Sequence, residues 1–372
     1  MSLPPPAEAG IALEDVDTPA LILEMEPFER NLRRMTDSLK ESGVALRPHA
    51  KSHKCPEIAL RQLALGAVGV CCQKVTEAEA LVAGGVGDVL IANQVVGERK
   101  LRRLVELAQR ARLAVCADHP VNVAALAAAA TAAGARLDVL VELDVGAGRC
   151  GAPPAAAAEL AQQVAASPGL RFAGLQAYQG AAQHLRSEAE RAAAIDRAVA
   201  AVQETTALLA AHGIECERVT GGGTGTYLLE AASGVYTEVQ PGSYALMDAD
   251  YGRNEPAPAA TLAFEQSLFV LATVMSRPAP RRAVLDAGLK ALATDSGLPL
   301  VDALEGVRYV KATDEHGVLE IDPSAAAPML GDKLRLVPGH CDPTVNLHDW
   351  IVCVRGGRVE ALWRVAARGA VF

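Results

Sequence analysis

Residues 44–92 read VALRPHAKSHKCPEIALRQLALGAVGVCCQKVTEAEALVAGGVGDVLIA, and this stretch sets the architecture of the chain. It holds three short apolar runs, Val44–Pro48, Ala67–Cys72 and Asp88–Ala92, separated by the amphipathic segments Pro56–Leu65 and Val75–Ala83. Runs this short and this apolar read as strands covered on both faces, the texture of a parallel sheet wrapped by helices. The alternation continues outward. Further strands are expected at Ala111–Ala117, Leu137–Leu143, Phe172–Tyr178, Glu217–Thr220 and Thr237–Gln240. Helices are expected at Glu98–Arg110, Val121–Ala133, Ala155–Ala166 and Ser187–His212. Eight such strands predict an α/β fold closed as a (β/α)8 TIM barrel over residues 25–252.

A different texture begins near Asn254-Glu255-Pro256-Ala257-Pro258. The runs Leu262–Val274, Arg282–Leu285, Val307–Lys311, Val318–Ile321, Lys333–Val337, Ile351–Val354 and Val359–Val365 are strand-like and nearly free of helical periodicity. They predict a C-terminal, mainly antiparallel β domain. The run Ala20–Glu24 is assigned to it, so that residues 1–24 and 253–372 form one unit.

A chain of 372 residues, 51% hydrophobic and 21% charged, is long enough for two globular units. The net charge of −9 leaves no basic face for a nucleic acid or an anionic membrane. No window reaches the roughly 18–20 continuous apolar residues of a membrane span. Met1–Gly10 has neither the basic nor the apolar region of a signal peptide. Cys55, Cys71, Cys72, Cys116, Cys150, Cys216, Cys341 and Cys353 form no metal-ribbon or redox spacing, and several sit in apolar runs. They read as reduced thiols packed as small hydrophobes. A cytoplasmic protein acting on a small molecule is expected.

In such a barrel, chemistry gathers in the loops after the strands. The first expected strand runs into Arg47-Pro48-His49-Ala50-Lys51-Ser52-His53-Lys54, the second into Gln73-Lys74, and the fifth into Asp144-Val145-Gly146-Ala147-Gly148-Arg149. The sixth ends at Tyr178-Gln179-Gly180 with His184 close behind, the seventh at Gly221-Gly222-Gly223-Thr224-Gly225-Thr226, and the eighth at Pro241-Gly242-Ser243-Tyr244. Backbone N–H groups in the Gly221–Thr226 run would converge on an oxyanion, with the Thr224 hydroxyl beside them. A barrel phosphate site uses the loops after strands seven and eight, where this run and Gly242-Ser243 both fall. Lys51, at the end of the first strand, is the lysine expected to reach the barrel mouth, ahead of Lys54 and Lys74. A Schiff-base lysine needs a lowered pKa. On these residues alone a sugar-phosphate enzyme remains an alternative. In the β domain, His340 and Asp342 stand at i and i+2; in an extended segment they would share a face and reach one cation, with Cys341 pointing away.

Arg47–Pro56, Gly69–Lys74 and Pro338-Gly339-His340-Cys341-Asp342-Pro343-Thr344 together resemble the D-threonine aldolases, nearly throughout the chain from Thr18-Pro19-Ala20 onward. That family groups with the D-serine dehydratases and the 3-hydroxyaspartate aldolases and dehydratases among alanine-racemase-like, fold-type III pyridoxal 5′-phosphate (PLP) enzymes. The resemblance implies that Lys51 carries PLP, that Arg149 lies near its phenolic oxygen and that Tyr178 lies beside its ring. Gly223, Thr224, Gly242, Ser243 and Tyr244 would lie at its phosphate. Gln73 and His184 would line the site, His184 as a base, and a homodimer is implied. His340 and Asp342 would bind a divalent metal, Mn²⁺ first, with Mg²⁺, Co²⁺ or Zn²⁺ as alternatives.

In the dehydratase branch a cysteine stands two residues after the metal histidine. Here that residue is Asp342, as in the aldolases. The resemblance therefore implies retro-aldol cleavage of a β-hydroxy-D-amino acid, with D-serine or 3-hydroxyaspartate dehydration and D-3-hydroxyaspartate cleavage as alternatives. A non-catalytic PLP carrier would need neither the β domain nor its H-x-D pair. A metal-free racemase would need a second base from the β domain, where no tyrosine motif stands out.

Overall fold

The computed structural model describes residues 4–255 and 263–372. Pro256–Pro258 of the expected boundary and Leu262, the first residue of an expected strand, lie outside the described residues. In chain order the first part comprises β1 (Ala20–Glu24), α1 (Met25–Leu39), β2 (Ala45–Leu46), α2 (Pro56–Ala64), β3 (Val70–Cys72), α3 (Val75–Ala83), β4 (Asp88–Gln94), α4 (Glu98–Ala108), β5 (Arg112–Ala117) and α5 (Pro120–Ala133). It continues through β6 (Leu137–Glu142), α6 (Pro154–Ala166), β7 (Leu170–Gln176), α7 (Glu188–Ala211), β8 (Val219–Gly221), α8 (Tyr227–Ala232) and β9 (Glu238–Val239). Helix starts follow local chemistry. Proline occupies the first turn of α2, α5 and α6, where its missing N–H costs nothing, and Ser187 caps α7 in a reciprocal box with Glu190.

The parallel strands run in the order β2-β9-β8-β7-β6-β5-β4-β3. A parallel bridge from His49 to Cys71 joins the two ends, together with hydrogen bonds from Val68 N to Leu46 O and from Cys71 N to Pro48 O, both 2.9 Å. This closes the expected barrel. Side chains alternate as period 2 requires: Val89, Ile91, Val115 and Ala117 pack against the helices, while Cys71, Leu90, Ala92, Ala114, Cys116, Leu140 and Ala173 fill the interior.

Arg47 is enclosed as well, only 2% exposed. Its guanidinium pairs with Asp88 (2.6 Å) and Glu238 (3.0 Å), and Glu238 also accepts from the Thr220 hydroxyl (2.8 Å). Burial alone would lower the Arg47 pKa, but the two carboxylates outweigh it and raise it. A Cβ on Gly69 would fall 2.1 Å from Arg47 Nη1 and 2.9 Å from Asp88 O, so a larger residue there would displace the paired guanidinium.

The remaining elements are β10 (Leu268–Ala279), β11 (Arg282–Leu285), β12 (Leu300–Val301), β13 (Val307–Ala312), β14 (Gly317–Ile321), β15 (Lys333–Val337), α9 (Cys341–Val345), β16 (Trp350–Arg355) and β17 (Arg358–Arg364). Their sheet runs β13-β14-β11-β10-β1-β16-β17, with β15 joining β10 to β12. β1 lies between β10, antiparallel, and β16, parallel. One apolar cluster, including Phe28, Met35, Ile58, Tyr244, Leu268, Leu285 and Trp363, spans the contact of α1 and α2 with this sheet. All eight cysteines are free. Among the described residues, no helix is long and apolar enough to cross a membrane.

Replacing Arg47 by alanine would leave the buried Glu238 with only the Thr220 hydroxyl and the Arg218 guanidinium 3.9 Å away, a change worth about 3–5 kcal/mol. The Arg47→Ala protein is expected to unfold at clearly lower denaturant than wild type. Equal midpoints would show that the buried pair does not hold the barrel closed.

Candidate active site

β2 ends in a single 3-10 turn, Ala50–Ser52, that presents Lys51 at the barrel mouth. Lys51 Nζ lies 3.1 Å from Asp342 Oδ2, so the barrel lysine and the expected metal pair share one site. Asp342 raises the Lys51 pKa, and this outweighs burial. The lowered pKa expected for this lysine is therefore not found in the chain alone, because a carboxylate neighbours the amine. Burial would likewise raise the Asp342 carboxyl, but Lys51 and His340 hold it well below the usual carboxylate range.

The H-x-D segment is not extended throughout. His340 is the N-cap of α9, and Asp342 sits in its first turn, where a carboxylate suits the helix dipole. Asp248 Oδ2 accepts the Cys341 N–H (2.8 Å) and so anchors that helix end. Cys341 does not point away from the pair as expected, since its Sγ lies 3.3 Å from Asp342 Oδ1. Ser243 Oγ donates to the same oxygen at 3.4 Å. His340 meets Asp295 Oδ2 through Nδ1 at 2.7 Å, which leaves Nε2 available. A histidine held by a carboxylate at one nitrogen is the usual arrangement behind a metal ligand. A positive charge, the Lys51 ammonium, already stands against Asp342. The donor set thus fits a divalent cation through two protein ligands. No group of three or more His, Cys, Asp or Glu side chains suited to a metal occurs among the described residues.

The glycine run forms a cradle. Gly222 adopts φ +76°, and a Cβ on Gly223 would fall 2.5 Å from Gln183 Oε1. Thr224 Oγ1 accepts the Tyr244 N–H at 3.0 Å, which ties the loops after β8 and β9 together and leaves the hydroxyl proton free to donate. Among the described residues, the backbone N–H groups of Thr224, Gly242 and Ser243 have no protein acceptor. Free N–H donors in these two loops, with the Thr224 hydroxyl, suit a phosphate dianion. Tyr244 itself corrects an expectation. Its ring is 1% exposed, packs on Phe264 and bonds through its hydroxyl to Gln62 (3.1 Å), so its side chain faces the core rather than a phosphate.

Around Lys51, the His49 ring accepts the Lys51 N–H at Nδ1 (3.4 Å) and meets the Gln73 amide through Nε2 (2.8 Å). Burial, followed by the charge of Lys51, pushes the His49 pKa well below its ordinary value. Arg149 lies over the Tyr178 ring, 5.9 Å from its centroid. His184 follows β7. It ends the 3-10 turn Ala181–His184 and bonds through Nδ1 to Asp250 Oδ2 at 2.7 Å. Sequence reading did not single out His49, Asp248, Asp250 or Asp295. The Asp-x-Asp spacing after the eighth strand was the one signal for Asp248 and Asp250.

Glu230 lies beneath the cradle, 1% exposed, accepting from Thr226 Oγ1 at 2.8 Å. Burial pushes its pKa from 4.5 up to about 7. Because the folded value is the higher one, its contribution to stability is full below the unfolded pKa and is lost as pH rises to about 7. The loss is roughly 3 kcal/mol. Between about pH 4.5 and pH 7, Glu230→Gln is expected to remove this part of the pH slope measured by denaturant unfolding. Parallel slopes for the two proteins would contradict it.

Residues 23–250 match the family model described as alanine racemase, N-terminal domain, and residues 267–354 match the one described as a putative serine dehydratase domain. A D-threonine aldolase from an Arthrobacter species is 54% identical over 99% of this chain and 97% of its own. A 3-hydroxy-D-aspartate aldolase from Paracoccus denitrificans (strain Pd 1222) is 49% identical over 98% of this chain and 95% of its own. The solved structure of D-threonine aldolase from Filomicrobium marinum aligns with a TM-score of 0.97 at 53% identity, covering 99% of this chain and all of that one. The chain is a lyase with the alanine-racemase-like fold, and it belongs to the D-threonine aldolase family.

Proposed function

We propose that this enzyme cleaves β-hydroxy-D-amino acids of the D-threonine type to glycine and an aldehyde, using PLP and a divalent metal, Mn²⁺ first. The observation that carries this reading is the 3.1 Å approach of Lys51 to Asp342, with His340 two residues before it. It unites the lysine that would hold the cofactor with the pair that would hold the metal, and the second member of that pair is a hard carboxylate rather than a thiolate. The kinship with the D-threonine aldolases supports the same reaction.

Lys51 would anchor the cofactor, the N–H groups of Thr224, Gly242 and Ser243 its phosphate, and Arg149, Tyr178 and Gln73 its ring. When bound, the cofactor supplies an electron sink for the pair left on Cα, and the metal an acidified β-hydroxyl. His184 accepts the β-hydroxyl proton at Nε2, since its Nδ1 is committed to Asp250. The 3-hydroxy-D-aspartate aldolase relative favours the same bond cleavage on a substrate with a distal carboxylate.

The protein incubated with PLP, Mn²⁺ and D-threonine is expected to release glycine and acetaldehyde in equal amounts. Release of 2-oxobutanoate and ammonia would make it a dehydratase. Lys51→Ala is expected to abolish both the yellow chromophore and cleavage; a yellow, active variant would remove Lys51 from its role. Asp295→Ala is expected to weaken Mn²⁺ binding by about 10–100-fold through loss of the His340 support, as read by electron paramagnetic resonance of the free ion. Unchanged affinity would show that His340 needs no such support, or is no ligand.

A further inference from the structure

His184 is not held by chance packing. Its Nδ1 meets one oxygen of Asp250 at 2.7 Å, while its side chain is 54% exposed and that of Asp250 only 5%. The other carboxylate oxygen accepts from Arg186 Nη2 (2.5 Å) and Arg253 Nη2 (2.7 Å). Arg186 Nη1 also donates to Asp250 O (2.8 Å) and Asn254 Oδ1 (2.7 Å), and Asn254 Nδ2 donates to Gln183 O (3.0 Å), one residue before His184. Arg253 Nη2 donates in addition to Ser296 O (2.8 Å). Ser296 follows Asp295, the residue bonded to His340 Nδ1. His184 and His340 are thus each tethered through Nδ1 to an aspartate, and Arg253 ties the two tethers together.

We propose that Asp250 is the positioning residue for His184, fixing the ring with its proton on Nδ1 and its Nε2 lone pair turned to the substrate hydroxyl; this rests on the reading of His184 as the base. Burial would raise the Asp250 carboxyl, but Arg186, His184 and Arg253 hold it below its ordinary value. It is therefore an ionised group that only accepts, and the ring nitrogen facing it must carry the hydrogen. The arginines give the arrangement its direction. In an Asp250→Asn protein the amide NH₂ cannot face two guanidinium groups, so the amide oxygen turns to them and the NH₂ turns to His184. Nδ1 must then accept, the ring proton moves to Nε2, and the base loses its lone pair where it is needed.

The test combines ring NMR with kinetics. In protein labelled with ¹⁵N-histidine and assigned with His184→Ala, the wild-type His184 ring is expected to show the Nδ1–H tautomer, and Asp250→Asn the Nε2–H tautomer. In the holoenzyme with Mn²⁺ and D-threonine, Asp250→Asn is expected to lower kcat roughly 10²–10⁴-fold while KM stays within about threefold, the scale known for histidine bases facing an amide in place of a carboxylate. A wild-type ring protonated on Nε2 overturns the proposal without any variant. Wild-type kcat and tautomer in Asp250→Asn, beside an inactive His184→Ala protein, overturn it while leaving His184 as the base. A fully active His184→Ala protein overturns the base assignment and this inference with it.

Discussion

The placement of the site rests on one buried cation inside the barrel. β2 and β9 are the shortest strands of the ring, two residues each, and give few ladder hydrogen bonds of their own. Arg47 compensates from inside by pairing with Asp88 at the start of β4 and Glu238 in β9. In a medium of low dielectric such a charge is tolerable only when fully paired. Gly69, beside the guanidinium, makes room for it. The chain then turns within four residues to Lys51.

A second buried cation fixes where that turn meets the β domain. Lys54 adopts φ +51°, unusual for a residue with a side chain, and its Nζ reaches Glu77 (3.1 Å) and Asn346 (2.9 Å). Glu77 also accepts the N–H groups of Gln73 and Lys74, and Asn346 is the C-cap of α9. The loops after β2 and β3 and the helix bearing Asp342 are therefore held by one lysine. That coupling accounts for a lysine in the barrel standing within 3.1 Å of a carboxylate in the other domain.

Much of this was legible in the chain. Apolar run length and period gave all eight barrel strands within a few residues. The helices at 120–133 and 154–166 begin one residue earlier than the apolar pattern suggests, because proline takes the first helical position. What escaped the sequence depends on contacts between distant residues. The Asp250 and Asp295 tethers lie 66 and 45 residues from their histidines, and no spacing rule links them. Tyr244 follows the phosphate loop closely enough to be taken for part of it, yet the core cluster around Phe264 claims its ring. The direction of the Lys51 shift also depended on a partner 291 positions away, which local sequence does not reveal.

The central claim, that the lysine beside Asp342 carries the cofactor, is tested most directly by borohydride reduction of the PLP-loaded protein followed by peptide mass mapping. A stable pyridoxyl-phosphate adduct on Lys51 is the predicted result. An adduct on Lys54 or Lys74 with Lys51 unmodified, or no adduct at all, would contradict the account.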